Sequence, residues 1–249
     1  YIQQCITKAA NKDTFSFNRK DKEQPQHKEQ TQPKEQSQYE EQTQFKEQPQ
    51  FKEQTQSVVL TSAMNFHYDI ATIEKGGAKT RYGWNIAAIQ TLKQIETENR
   101  TATIEEQKIL SKYVGWGGLS QVFDYSNERW NKEYEELKNL LTKEEYEAAR
   151  ATVNNAFYTA PEIALAINQA LVQFGLRRGN ILEPSMGIGN FFGNMLQELS
   201  ESNLYGVEID SLSGRIAKQL YPNAMIQITG FEKTNYPDNF FDAVIGNVP

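Results

Sequence analysis

The stretch "ILEPSMGIGNFFG", residues 181–193, decides how the rest of the chain is read. An apolar pair, Ile181 and Leu182, runs through Glu183-Pro184 into a turn holding Gly187 and Gly189, and Phe191 and Phe192 then resume an apolar pattern. Glycines where a strand turns into a helix let the backbone approach a ligand closely and aim helix N–H groups at it. The spacing is not the dinucleotide fingerprint, because the next small residue, Gly193, falls one place late and Glu183-Pro184 intervenes between strand and glycines. A carboxylate at that place suits a cationic part of a ligand.

Working outward, short apolar runs alternate with helical patterns: NILEP (180–184), LYGVEID (204–210), AMIQIT (224–229) and FDAVIGN (241–247). Helices are predicted near 189–199 and 211–220, and Thr159-Ala-Pro-Glu162 opens another that Gly175 ends. Four strands alternating with helices predict an α/β fold, a parallel sheet with βαβ units. The second strand ends in Glu208, at roughly the spacing from the glycines where a carboxylate accepts hydrogen bonds from ribose hydroxyls. A nucleoside carrying positive charge is therefore the expected ligand, which describes S-adenosylmethionine better than NAD or ATP. Asn247 falls at the carboxyl end of the fourth strand, where parallel sheets bind ligands. Its amide oxygen and a following main-chain carbonyl offer two acceptors to one amino group, drawing its lone pair out of conjugation and aiming it at a sulfonium methyl.

In order and spacing, "ILEPSMGIGNFF", "YGVEID" and "DAVIGNVP" resemble the cofactor and catalytic motifs of the amino-group DNA methyltransferases that modify adenine, whose catalytic motif is usually Asn-Pro-Pro-aromatic. "NNAFYTAPEIALAI", residues 154–167, looks like the segment of that family that contacts the methionine moiety. From about Thr80 onward the chain resembles more closely the N-terminal methylase region of very large methylase-helicase proteins of conjugative elements and phages. The resemblance implies a Rossmann-like class I methyltransferase sheet, incomplete here, with S-adenosylmethionine as cofactor, DNA as substrate and a Swi/Snf-type helicase following in cis. It implies Tyr158, Thr159, Glu183, Pro184, Gly187, Gly189, Asn190, Phe191, Glu208 and Ile209 as cofactor-binding residues. Phe231 and Glu232 are the implied contacts to the cofactor's adenine, and Asn247, Val248 and Pro249 the implied catalytic turn. The chain departs from the pattern in three places. Val248 replaces the first proline, retaining its carbonyl on a less rigid turn. Gly230-Phe231-Glu232 reverses the usual acidic-then-aromatic order, and the aromatic that stacks on an extruded base would be residue 250. Starting at Tyr1 and stopping within a motif, the sequence reads as a piece of a longer protein whose given part is expected to be inactive alone.

The N-terminal half reads differently. Six hexads, KEQPQH, KEQTQP, KEQSQY, EEQTQF, KEQPQF and KEQTQS, fill residues 22–57. A period of six gives no continuous apolar face, so residues 1–57 are expected to be a disordered tether. A deletion beginning at Val58 is predicted to leave the melting temperature unchanged. Residues 58–153 are expected to be a helical region, with helices near 84–96, 104–113, 128–141 and 143–153. Two of them open on the capping boxes Thr103-Ile-Glu-Glu106 and Thr142-Lys-Glu-Glu145. Between them "YVGWGGL", Tyr113 to Leu119, reads either as a helix end with a structural Trp116 or as a ligand-contacting loop. Residues 154–249 make up the proposed cofactor-binding core.

Composition narrows the classes. A net charge of −6 spreads no basic field, so nucleic-acid contact must come from local patches. One such patch interleaves Lys75, Lys79 and Arg81 with Tyr82 and Trp84, although a bland loop entering a helix fits the same residues. Gly76-Gly-Ala-Lys-Thr80 lacks the glycines of a phosphate-binding loop. One cysteine, Cys5, and two histidines, His27 and His67, leave no disulfide and no zinc cluster, which favours a reducing cytoplasm. No apolar run is long enough to span a bilayer. Two alternatives to adenine methylation stay open: a degenerate methylase fold that binds DNA or positions a helicase, and methylation of a protein glutamine or an RNA base.

Overall fold

The structure, a computed structural model, describes residues 64–69, 71, 75–154 and 158–247. The hexads, Cys5, His27, Val248 and Pro249 lie outside the described residues. The described residues form one compact unit in which helical region and sheet share a hydrophobic core.

Helix α1, Ala78–Thr97, buries Tyr82, Ile86, Ile89, Leu92 and Ile95 at helical spacing. It begins six residues before the expected start at 84, because Gly83 faces solvent with nothing for a side chain to meet and so interrupts no packing. Helix α2, Ile104–Leu110, and helix α4, Lys143–Ala151, each carry the reciprocal capping box read from sequence. Such caps contribute about 0.5–2 kcal/mol each. Helix α2 stops at Leu110 rather than 113 as tighter turns take over, with Lys112 N–H bonding Ile109 O and Tyr113 N–H bonding Leu110 O. Helix α3, Asn131–Leu140, follows a single 3₁₀ turn at Glu128–Trp130.

Helix α5, Pro161–Gln173, starts on its proline and leads to strand β1, Asn180–Glu183. Helix α6 then covers only Asn190–Gly193, followed by β2, Asn203–Glu208, helix α7, Ser211–Leu220, β3, Met225–Ile228, and β4, Ala243–Val244. The four strands are parallel in the order β3-β2-β1-β4. This bears out the α/β class with a parallel sheet, a layout compatible with a Rossmann-like fold. Strand β4 is shorter than its apolar run, though Ile245 N–H still bonds Leu182 O at 2.9 Å beyond its end.

The expected helix over 189–199 is a correction. Buried Asn168 of α5 donates to Phe191 O at 2.9 Å and Asn194 O at 3.0 Å, taking carbonyls that a continuing helix would use. The Tyr68 ring also fills the space beside Gly193, and the chain breaks into a 3₁₀ turn at Gln197–Leu199.

Helical region and sheet are joined by a charged cluster on α7. Arg215 bonds Glu96 of α1 at 2.7 Å and Glu145 of α4 at 2.6 Å, and Lys93 reaches Glu145 at 2.7 Å. Burial would raise the Glu145 carboxyl, but the hydrogen bonds from Lys93, Arg215 and the Thr142 backbone outweigh it and hold the group at about 2. A depressed carboxylate stabilises the fold above its ordinary value of 4.5, and that contribution is lost as pH falls from 4.5 to about 2. Arg215→Ala is expected to cost about 1–2 kcal/mol at neutral pH, because the cluster is only partly buried. It should also flatten the acid limb in that window, read from thermal melts at stepped pH. Among the described residues no helix is long and apolar enough to cross a membrane.

Candidate functional site

A cleft of about 250 Å³ opens at the carboxyl ends of the strands. Its walls come from the end of β1, the glycine turn, the end of β2, the start of α7, the segment after β4 and two parts of the helical region. The turn after β1 is tightly constrained. Gly187 has φ +56°, and a side-chain carbon there would meet the Tyr158 ring at 2.8 Å. Gly189 has φ +86°, and a carbon there would meet the Tyr221 ring at 2.5 Å. Only glycine satisfies both demands at these places. Ser185, exposed at the mouth, holds φ +150°, a strained value for a residue with a side chain.

Glu208 organises the turn. Its carboxylate accepts from Gly187 N–H at 2.6 Å and from Asp210 N–H at 2.7 Å, one bond to each oxygen. Burial raises its carboxyl, while those N–H groups pull the other way. The sequence aims the N–H groups of the following helix at a ligand, whereas the Gly187 N–H in the turn before that helix is taken by Glu208. Helix α6 is also only one turn long and adds little dipole.

Glu183, at the end of the adjacent strand, is 2% exposed and its Oε2 has no hydrogen-bond partner. Burial first, then the charge of Glu208, pushes its carboxyl well above the usual carboxylate range. A buried, unpartnered carboxyl in a cleft is costly unless a ligand brings it a donor, and a cationic donor most of all.

Asn190 ties three segments together: it donates to Thr159 O at 2.8 Å, accepts from Tyr68 Oη at 2.8 Å, and its carbonyl receives Asn194 Nδ2 at 2.7 Å. Tyr158 Oη shares a 2.6 Å hydrogen bond with Ser213 Oγ, and Ser213 in turn bonds the Asp210 carboxylate that caps α7. Ile209 stands 74% exposed at the rim. Asn247 lines the cleft from the end of β4, where Gly246 backs onto Pro184.

Of the residues singled out from sequence, Tyr158, Thr159, Glu183, Gly187, Asn190, Phe191, Glu208, Ile209 and Asn247 line the cleft. Pro184 and Gly189 shape it without lining it. Phe231 and Glu232 do not line it. They form a 3₁₀ turn after β3 in which the Glu232 carboxylate curls back over Gly230, so the reversed order of that motif leaves no acidic contact at the cleft. Of the two readings open for the segment around Lys79 and Tyr82, the structure agrees with the entry into a helix: Tyr82 is buried with its hydroxyl against Glu133 O and Glu136, and Lys79 pairs with Glu133 at 2.6 Å.

The helical region supplies walls that sequence reasoning left open: Tyr113 and Gly115 from "YVGWGGL", and Ala151 and Thr152 from the end of α4. The structural reading of that stretch holds for Trp116, which is packed in the core at 1% exposure, while Tyr113 and Gly115 line the cleft. Fully buried Asn85 of α1 fixes the loop, donating to Gly115 O at 2.6 Å and accepting from Val114 N–H at 2.9 Å. An asparagine within the apolar stripe of α1 was the available signal for this tie.

No family model matches the chain, and no solved structure matches it. The chain is 30% identical over 186 residues to the Defense against restriction protein B of Escherichia phage P1, a match covering 73% of this chain. It spans 7% of that relative's length.

Proposed function

We propose that this chain carries the cofactor-binding and catalytic core of an S-adenosylmethionine-dependent methyltransferase acting on the exocyclic amino group of adenine in DNA. The observation that carries the reading is the meeting, in one cleft, of the glycine turn, the unpartnered buried Glu183, Glu208 and Asn247. These residues fit the cofactor: Glu183 supplies a buried acceptor for a cationic group, Glu208 a second carboxylate, and the turn at Gly187 leaves room that a side chain would fill. The sulfonium, when bound, supplies an electrophilic methyl group. The chain's own work is to exclude water, hold the ligand and let Asn247 accept a hydrogen bond from the target amine, sharpening its nucleophilicity.

A name referring to defence against restriction accords with a DNA-directed activity. Methylating adenine N6 alters a donor that sequence-reading proteins use in the major groove. A helicase in cis is part of the same proposal. The test is tritiated-methyl transfer by the full-length protein to DNA, RNA and protein, followed by nucleoside analysis. N6-methyladenine in DNA is the expected product. Label in RNA or protein would move the substrate, and cofactor binding without transfer to any of the three would support a non-catalytic DNA-binding module.

A further inference from the structure

The loop over residues 113–119 lies against α1, and two side chains of that helix meet it. Asn85 is fully used there, bonding the carbonyl of Gly115 and the N–H of Val114. Arg81 lies one turn earlier on the same face of α1. Its guanidinium comes up against Gly118, where a side-chain carbon would stand 3.7 Å from Nη2 and 4.0 Å from Nη1. Yet Arg81 is half-buried, its Nε is buried without a partner, and no hydrogen bond or ion pair engages its side chain among the described residues.

Other arginines in comparable surroundings behave differently. Arg215 and Arg100, both partly buried, each grip two carboxylates, Glu96 and Glu145 for the first, Glu98 and Glu106 for the second. Lys79, two positions before Arg81, spends its charge on Glu133 and on the face of Trp130. A chain with 32 acidic and 26 basic residues has carboxylates to spare, and the fold brings none to Arg81. Holding a charge partly out of water without a counter-charge is costly, so the arginine is set up for an anion from outside.

Gly118 keeps the approach open. It is exposed with φ +69°, and the turn closes through Leu119 N–H to Trp116 O, which leaves the Gly118 N–H without an acceptor among the described residues. The guanidinium fork and a bare turn beside it suit a phosphate. Arg81 does not line the cleft, so this anion is not part of the ligand held there. Gly115 does line it, and three residues place Gly118 within about 11 Å of that wall. A strand that delivers a base to the cleft must carry its backbone across the rim, bringing one phosphate with each nucleotide.

We infer that Arg81, beside the bare turn at Gly118, clamps a backbone phosphate of the DNA strand that feeds the cleft. This rests on the methyltransferase reading and extends it from cofactor to substrate, with the helical region as a DNA-holding wall. The net charge of −6 does not oppose it, because the contact is local.

Steady-state methyl transfer to duplex DNA by the full-length protein, measured over a salt series, tests this. Arg81→Gln is expected to raise the KM for DNA about tenfold whatever the surrounding sequence, and to reduce the slope of log KM against log salt by about 0.9, the share of one phosphate. The kcat and the KM for S-adenosylmethionine should hold, since Arg81 stands outside the cleft. Arg81→Lys keeps the charge and loses the fork, so it should keep the slope and recover only part of the affinity. A wild-type slope in Arg81→Gln overturns the inference. So does a slope lost equally in Arg81→Lys, or a matching rise in the KM for S-adenosylmethionine, either of which makes Arg81 a support for the loop. All three of these results leave the methyltransferase reading standing, whereas a wild-type protein that transfers no methyl group to DNA overturns both.

Discussion

Replacing Asn247 by alanine in the full-length protein is expected to lower methyl transfer by about 10²–10³-fold, the scale of losing one preorganised polar partner at the reacting centre. Cofactor affinity should stay nearly unchanged, because the unpartnered carboxyl lies at the end of β1 and Glu208 at the end of β2, whereas Asn247 follows β4. Stability should hardly move either. The asparagine is exposed, and its position is fixed by the backbone through the Ile245 N–H to Leu182 O bond. An exposed substitution of this kind normally changes stability by no more than about 0.5 kcal/mol. The variant thus separates chemistry from binding and folding: transfer is measured at saturating cofactor, binding by calorimetry, and stability by melting temperature. Wild-type transfer rates in a folded variant would remove Asn247 from the catalytic role, and a matching loss of cofactor affinity would make it a binding residue.

What the sequence made legible were features set by local periodicity. Glu183 and Glu208 could be placed together because each ends an apolar run, and in a parallel sheet the carboxyl ends of neighbouring strands meet on one edge. The capping boxes of α2 and α4 were visible because both partners lie within one turn. Features set by long-range hydrogen bonds were not legible. Asn85 reaches a loop 30 positions away in sequence, and Asn168 ends α6 across a separation of 23 and 26 positions. Neither partnership leaves a trace in spacing. The third-strand motif failed for a local reason that was already in view: with Phe231 before Glu232, the acidic residue turns back on its own loop.

The share of the cleft built by the helical region has the same origin. Tyr113 and Gly115 reach the cleft through the Asn85 tie, and Thr152 through the packing of α4, which Glu145 and Arg215 lock to α7. Damage to either tie should therefore reach the ligand without touching a ligand contact.

Glu183→Gln is expected to produce two opposite effects, and their combination distinguishes a ligand-binding carboxyl from a structural one. In the ligand-free fold, burial and the charge of Glu208 hold the Glu183 carboxyl above its ordinary value of 4.5. Its stabilising contribution is then fully present below that value and is lost as pH rises through the raised value, where a buried charge must form. Glutamine keeps the shape and cannot ionise. The variant should melt about 2–4 °C higher than wild type at pH 8, a shift corresponding to about 1 kcal/mol for a chain of this size, and the two should converge in acid. Binding runs the other way. A cationic ligand favours the ionised carboxyl, so wild-type affinity should climb with pH until the raised value is passed, releasing up to one proton per ligand bound. Glutamine abolishes that extra slope and weakens S-adenosylmethionine by about 100-fold at pH 8, the scale of a buried charge-assisted contact. The ligand's own ionisations cancel when the two proteins are compared across the same pH series, and calorimetry in buffers of different ionisation enthalpy counts the proton. A variant that is more stable but binds with the wild-type slope would show that Glu183 is merely a strained buried acid, and the cation would have to be held elsewhere in the cleft.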